Sequence, residues 1–152
     1  MGSTSLEVRR IVVSMVSVVV ACLALAGGAL AVDNKESFKS KQKQDEFITA
    51  TLKKMAAEMN SQTPIQIDED TSLTSAIAFQ KTFTVNMRLP RLKYSDVDPK
   101  QIIQTVRETL NQTACQSKAV RELIDLGVEY VYIYISNDAK LVARIEIKSY
   151  RC

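Results

Sequence analysis

Residues 128–149 read VEYVYIYISNDAKLVARIEIKS, and the fold turns on how that stretch pairs with itself. Two alternating runs, Val128–Ile135 and Leu141–Ser149, flank Ser136-Asn137-Asp138-Ala139, whose composition suits a hairpin turn. Side chains alternate between faces along a strand. Sorted by hydropathy, Val131, Ile133 and Ile135 share a face with Leu141, Ala143, Ile145 and Ile147. Tyr130, Tyr132 and Tyr134 then share the other face with Arg144, Glu146 and Lys148. On this reading the aliphatic face lines a core under helices, and the tyrosine face is open.

The sequence before the hairpin supplies those helices. Val120, Leu123 and Ile124 form a short helical stripe that Ser117 starts and Gly127 closes as a left-handed residue. Ile102, Ile103, Val106, Leu110 and Ala114 form a longer one, with Asp96 or Asp98 as its cap and Pro99 at its first position. Further upstream, Phe79, Lys81, Phe83, Val85, Met87 and Leu89 alternate with polar residues, which predicts one half-buried strand ended by Pro90. Lys81 interrupts its apolar face and is placed near a strand end. Ile65–Leu73 reads as a short edge strand. Phe47, Ile48, Leu52, Met55, Ala56 and Met59 recur at steps of three and four, a helix that stops near Asn60-Ser61 and Pro64. The expected fold class is α+β: one small domain over residues 45–152, ordered α-β-β-α-α-β-β, with an antiparallel sheet covered on one face by helices.

The N-terminus has a different character. Ile11 to Val32 carry no charge and follow Arg9-Arg10. A run of that length can cross a ~30 Å hydrocarbon layer as a helix. The arginines hold the N-terminus on the cytoplasmic side and send the remainder outward. Residues 1–32 are therefore a signal peptide, with Ala29-Leu30-Ala31 as cleavage site, or a single transmembrane anchor. Lipidation at Cys22 is a third option, weakened by the apolar stretch after it. Residues 33–44, polar and lysine-rich, read as a stalk.

Composition excludes several functions. The 152-residue chain has no His, the commonest general base and metal ligand. Its net charge of +3 gives no footprint for nucleic acid. No phosphate-binding loop, dinucleotide fingerprint or nucleophile elbow is present. Asp68-Glu69-Asp70 is the densest acidic cluster, but adjacent residues of an extended segment point apart, so a solvated turn is the simpler reading. Asn111-Gln112-Thr113 is a glycosylation sequon on an expected helix. The expectation is no catalytic residue, no metal and no cofactor.

Cys115 and Cys152 are the cysteines outside the apolar segment. Two cysteines in an exported domain usually pair, which would tie the last strand to a helix; a free thiol is the alternative. The tyrosine stripe admits two readings as well. Tyr is a good strand former that lies over long neighbours, and it is also favoured at protein interfaces. The candidate partner face is Tyr130, Tyr132, Tyr134, Arg144 and Lys148.

Pro64-Ile65-Gln66-Ile67-Asp68-Glu69-Asp70-Thr71-Ser72-Leu73 resembles a P-x-x-[IV]-D-x-x-T-x-L segment of small, largely uncharacterised exported proteins of Gram-negative bacteria. These also show a helix ending near a Cys, then Gly, a Tyr-rich hairpin and a Cys near the C-terminus. Cys115, Gly127, Tyr130–Tyr134 and Cys152 match that order. The resemblance implies a bacterial envelope setting and a disulfide, with Asp68 and Thr71 stabilising a turn. It supplies no activity. The expected protein is a non-enzymatic envelope component, in the inner membrane with its domain in the periplasm, or periplasmic after cleavage at Ala31. It would bind another envelope protein, and contact the membrane through residues 11–32 if uncleaved. The alternative is a periplasmic inhibitor or immunity protein against a toxin or hydrolase. An enzyme is a third possibility, which would rest on Asp68, Asp70 or a Tyr.

Overall fold

A computed structural model describes residues 41–152. The expectations for the signal or anchor (1–32) and for residues 33–40 of the stalk lie outside it. Among the described residues no helix is long and apolar enough to cross a membrane.

Helix α1 (Lys41–Asn60) takes in the last four residues assigned to the stalk. It buries Ile48, Leu52, Met55, Ala56 and Met59, the stripe its periodicity predicts. Asn60 ends it, and the Asn60 side chain does a strand's work. Its amide donates to the Ala76 carbonyl at 2.8 Å and accepts from the Ala76 N–H at 2.7 Å. A turn with a cis Thr63–Pro64 bond leads into β1 (Ile65–Asp68), which pairs only with the start of β2 (Thr71–Phe79). Asn60 thus occupies the edge of β2 beyond the start of β1.

The run Phe79–Leu89 is not one strand. It is the end of β2, a turn at Gln80-Lys81, and β3 (Thr82–Leu89), with Phe79 opposite Thr82. A two-residue turn pairs residue i with i+3 and so reverses which residues face the core, a reversal that the unbroken hydropathy alternation hides. Lys81 is a turn residue, and Phe79 faces away from Phe83. Helix α2 (Pro99–Gln116) starts with the Asp98 carboxylate accepting from the Lys100 N–H at 2.9 Å. Ser117 ends it and caps α3 (Lys118–Asp125). Gly127, at φ +87°, closes α3: its N–H reaches the Ile124 carbonyl and the Val128 N–H reaches the Leu123 carbonyl, both at 2.9 Å. The hairpin β4 (Glu129–Ser136) and β5 (Leu141–Ile147) completes the chain.

The observed order is α-β-β-β-α-α-β-β, one strand more than expected. The five strands lie in chain order, β1-β2-β3-β4-β5. All neighbours are antiparallel except β3 and β4, which are parallel. The sheet is therefore mixed, not antiparallel, because the α2–α3 crossover returns the chain to the end of the sheet where β3 began. α1 packs on β2, and α2 packs on β5 and α3. One buried cluster joins α1, α2 and α3 to Leu73, Ala76, Phe83, Val85, Met87, Tyr130, Tyr132, Tyr134, Ala143 and Ile145. The helices and core thus occupy one face of the sheet.

Candidate functional site

The tyrosines belong to that covered face. Tyr130, Tyr132 and Tyr134 are 3%, 4% and 2% exposed. They stand beside Phe83, Val85 and Met87 of β3 and opposite Ile147, Ile145 and Ala143 of β5. The assignment of the β4 faces is reversed, and the tyrosines cannot form a partner surface. The reason lies in the hairpin. Ile135 pairs with Leu141 while Tyr134 pairs with Ala143, so Val142 is an extra residue that turns Leu141 to the other side. Burial pushes all three phenols up from the usual value of 10.0.

Arg144 and Lys148 do lie on the opposite face, which carries no helix among the described residues, as expected. Arg144 pairs with Glu146 at 3.0 Å, and Lys148 bridges Glu146 at 3.3 Å and Glu129 at 3.1 Å. These contacts lower the Glu146 carboxyl, Arg144 first among the causes, and raise the Lys148 ammonium, Glu129 first. The register sets out the rest of this face in rows. Phe79, Thr82 and Glu129 form one; Ile77, Thr84, Val131 and Glu146 the next; then Ser75, Asn86, Ile133 and Arg144. The next row holds Ser72, Arg88, Ile135 and Leu141. Read across the strands, β2 presents Ile77 and Phe79; β3 presents Thr82, Thr84, Asn86 and exposed Arg88; β4 presents Glu129 and aliphatic residues, of which Val131 is 1% exposed; and β5 carries a charge network shared with Glu129. Phe79 is 69% exposed and Ile77 55%. Sequence reasoning missed both, because it put Phe79 in the core and left Ile77 in no element. A signal was present: in Ala76-Ile77-Ala78-Phe79 the small residues go inward under α1 and the large ones outward.

The remaining candidates are structural. Cys115 and Cys152 form a disulfide with Cα atoms 5.5 Å apart. Asn111 accepts from the Arg151 N–H and donates to the Arg151 carbonyl, both at 2.8 Å, and Thr113 is buried, so the sequon is engaged in the fold. Tyr150 donates to Asp125 at 3.0 Å. Together these contacts clamp the C-terminal tail to α2 and α3. In the acidic cluster, Asp68 accepts from the Asp70 N–H at 2.8 Å in the turn between β1 and β2, and burial raises its carboxyl. Glu69 pairs with Arg91 at 3.1 Å. Lys81 donates to the Leu126 carbonyl at the end of α3 at 3.0 Å and ion-pairs with Asp45 of α1. Among the described residues no His, Cys, Asp and Glu cluster could hold a metal ion.

No protein-family model and no curated protein sequence matches this chain. Solved structures do. A Pseudomonas aeruginosa protein described as secreted has a TM-score of 0.57 at 18% identity, covering 70% of this chain and 93% of its own. The type II secretion system pilotin AspS of Vibrio cholerae has 0.54 at 15%, covering 70% and 93%. The pilotin EpsS of the Vibrio vulnificus type 2 secretion system has 0.57 at 13%, covering 70% and 92%. At these identities the likeness is one of fold: residues 41–152 adopt the fold of two type II secretion system pilotins and of a secreted protein.

Proposed function

We propose that this chain is a non-enzymatic cell-envelope protein that acts by binding another envelope protein, as a component of a type II secretion system. The observation that carries the reading is the helix-free sheet face. Three adjacent strands present a face that ends in exposed Ile77 and Phe79 and carries charge only at Arg88 and Glu129 among its described residues, on a fold shared with two pilotins of such systems. Exposed apolar area next to a satisfied polar border is the pattern of a protein-binding surface. The partner it suits is an apolar segment of another envelope protein. The export pattern of residues 1–32 and the disulfide fit an oxidising envelope compartment, and the resemblance at residues 64–73 points to the same setting.

Deleting the gene in its host is expected to reduce release of type II secretion substrates. Wild-type protein should restore release, and an Ile77→Asp, Phe79→Asp variant present at equal level should not. Undiminished secretion in the deletion strain would end the secretion assignment. Full rescue by the double variant would remove the sheet face as the binding surface.

A further inference from the structure

We propose that the open edge of β2 is a strand-addition site, where an extended apolar segment of the partner pairs with the backbone at Ala78. The inference rests on the sheet-face reading above and names the form in which the partner binds. Successive residues of a strand offer their N–H and C=O groups to alternate sides. Asn60 takes both groups of Ala76, on the side away from β3. Two residues on, Ala78 offers its N–H and C=O to that same side. β1 pairs only with Thr71–Leu73, so among the described residues no strand lies beside Ala78.

The two edges of the sheet are guarded differently. β5 carries Arg144 and Glu146, with Lys148 next in the chain. Charged side chains are a usual guard against edge pairing. Ser75-Ala76-Ile77-Ala78-Phe79 holds neither charge nor proline, and exposed Ile77 and Phe79 flank Ala78. Backbone bonds accept any extended segment, and apolar side chains at alternate positions of that segment cover Ile77 and Phe79. The occupant is a bare segment and not a second copy. α1 packs on β2, so two copies joined edge to edge would bring two such helices together. Paired strands lie about 4.8 Å apart, whereas packed helices need about 8–10 Å.

Ala78→Pro removes the N–H that strand addition uses. No described strand bonds to that N–H, and proline is tolerated where a strand's N–H faces outward, so the variant should fold. In the deletion strain, at a wild-type level of folded protein, it should leave release of type II secretion substrates unrestored. Full restoration by folded Ala78→Pro, with Ile77→Asp, Phe79→Asp still inactive, would overturn strand addition and leave the sheet face as the site. Undiminished release in the deletion strain would end the secretion reading, and the edge is then decided on the purified chain. The probe there is an end-capped hexapeptide of alternating valine and threonine, and the readout is amide hydrogen exchange. Exchange at Ala78 should be fast without peptide and slowed with it, while Ile77 and Phe79, which face β3, stay slow throughout. An Ala78 amide already protected in the free chain, or one that the peptide does not slow, would overturn the proposal even where the proline variant fails to fold.

Discussion

The two faces of β4 make opposite use of similar apolarity. Tyr130, Tyr132 and Tyr134 lie under the helices, and Val131, Ile133 and Ile135 on the opposite face, with Val131 itself 1% exposed and the two isoleucines half-buried, although hydropathy ranks them the other way. Depth decides between them. α1 lies on β2 and α2 on β5, so β3 and β4 run under the space between the helices. Long, rigid rings reach across that space and branched aliphatics do not. The Phe83 and Tyr130 rings meet edge to face, their centres 6.1 Å apart. On the outer face Val and Ile serve as good strand formers beside Thr84, Asn86 and Arg144. A central strand that is apolar on both faces does not announce which one is the core.

Alkali should separate the faces most completely. Burial raises the three phenols above 10.0, whereas an unfolded chain ionises near that value. Their contribution to stability is therefore intact below about pH 10 and is lost as pH climbs toward the raised folded values. The phenolate absorbance of these tyrosines should appear only with cooperative loss of circular dichroism. Ionisation near pH 10 with the fold intact would return the stripe to the surface. Next in size, Tyr132→Ala should cost about 3–5 kcal/mol in urea unfolding, against about 1 kcal/mol for half-buried Ile133→Ala. The reverse order would break the comparison. Cys152→Ser should cost about 3–4 kcal/mol, from a bridge spanning 37 residues, and it loosens α2 from β5 without altering either face. The smallest effect belongs to Phe79→Ser. Folding stability should stay within about 0.5 kcal/mol of wild type. A loss above ~2 kcal/mol would mean that the outer face is not open.

What the sequence made legible was local chemistry. Asp98 and Pro99, Ser117, Gly127 and the loop at 136–139 each carry their signal within a few residues, and each stands where expected. The helical stripes survived for the same reason. The turn at Gln80-Lys81 was hidden, since it holds no Gly, Pro or Asn and puts Gln80 at φ +52°. The parallel β3–β4 pairing is a fact of topology that no short pattern encodes. As for the candidate site, Arg144 and Lys148 were placed on the right face because charge rarely goes inside. The tyrosines were misplaced because an extra residue at Val142 shifts the hairpin register. Ile77 was left in no element and Phe79 was put in the core because Ala76 and Ala78, the small residues beside them, are the ones that go inward.

The parallel seam between β3 and β4 has a consequence for how the molecule opens. α1 with β1, β2 and β3 is one continuous stretch of chain; α2 and α3 with β4 and β5 is another, and the seam is the main junction between them. The disulfide lies wholly within the second stretch. Such contiguous stretches behave as separate cooperative units in native-state hydrogen exchange. Amides of the second unit should outlast those of β1 and β2, and the first unit should detach along the seam while the second keeps its shape.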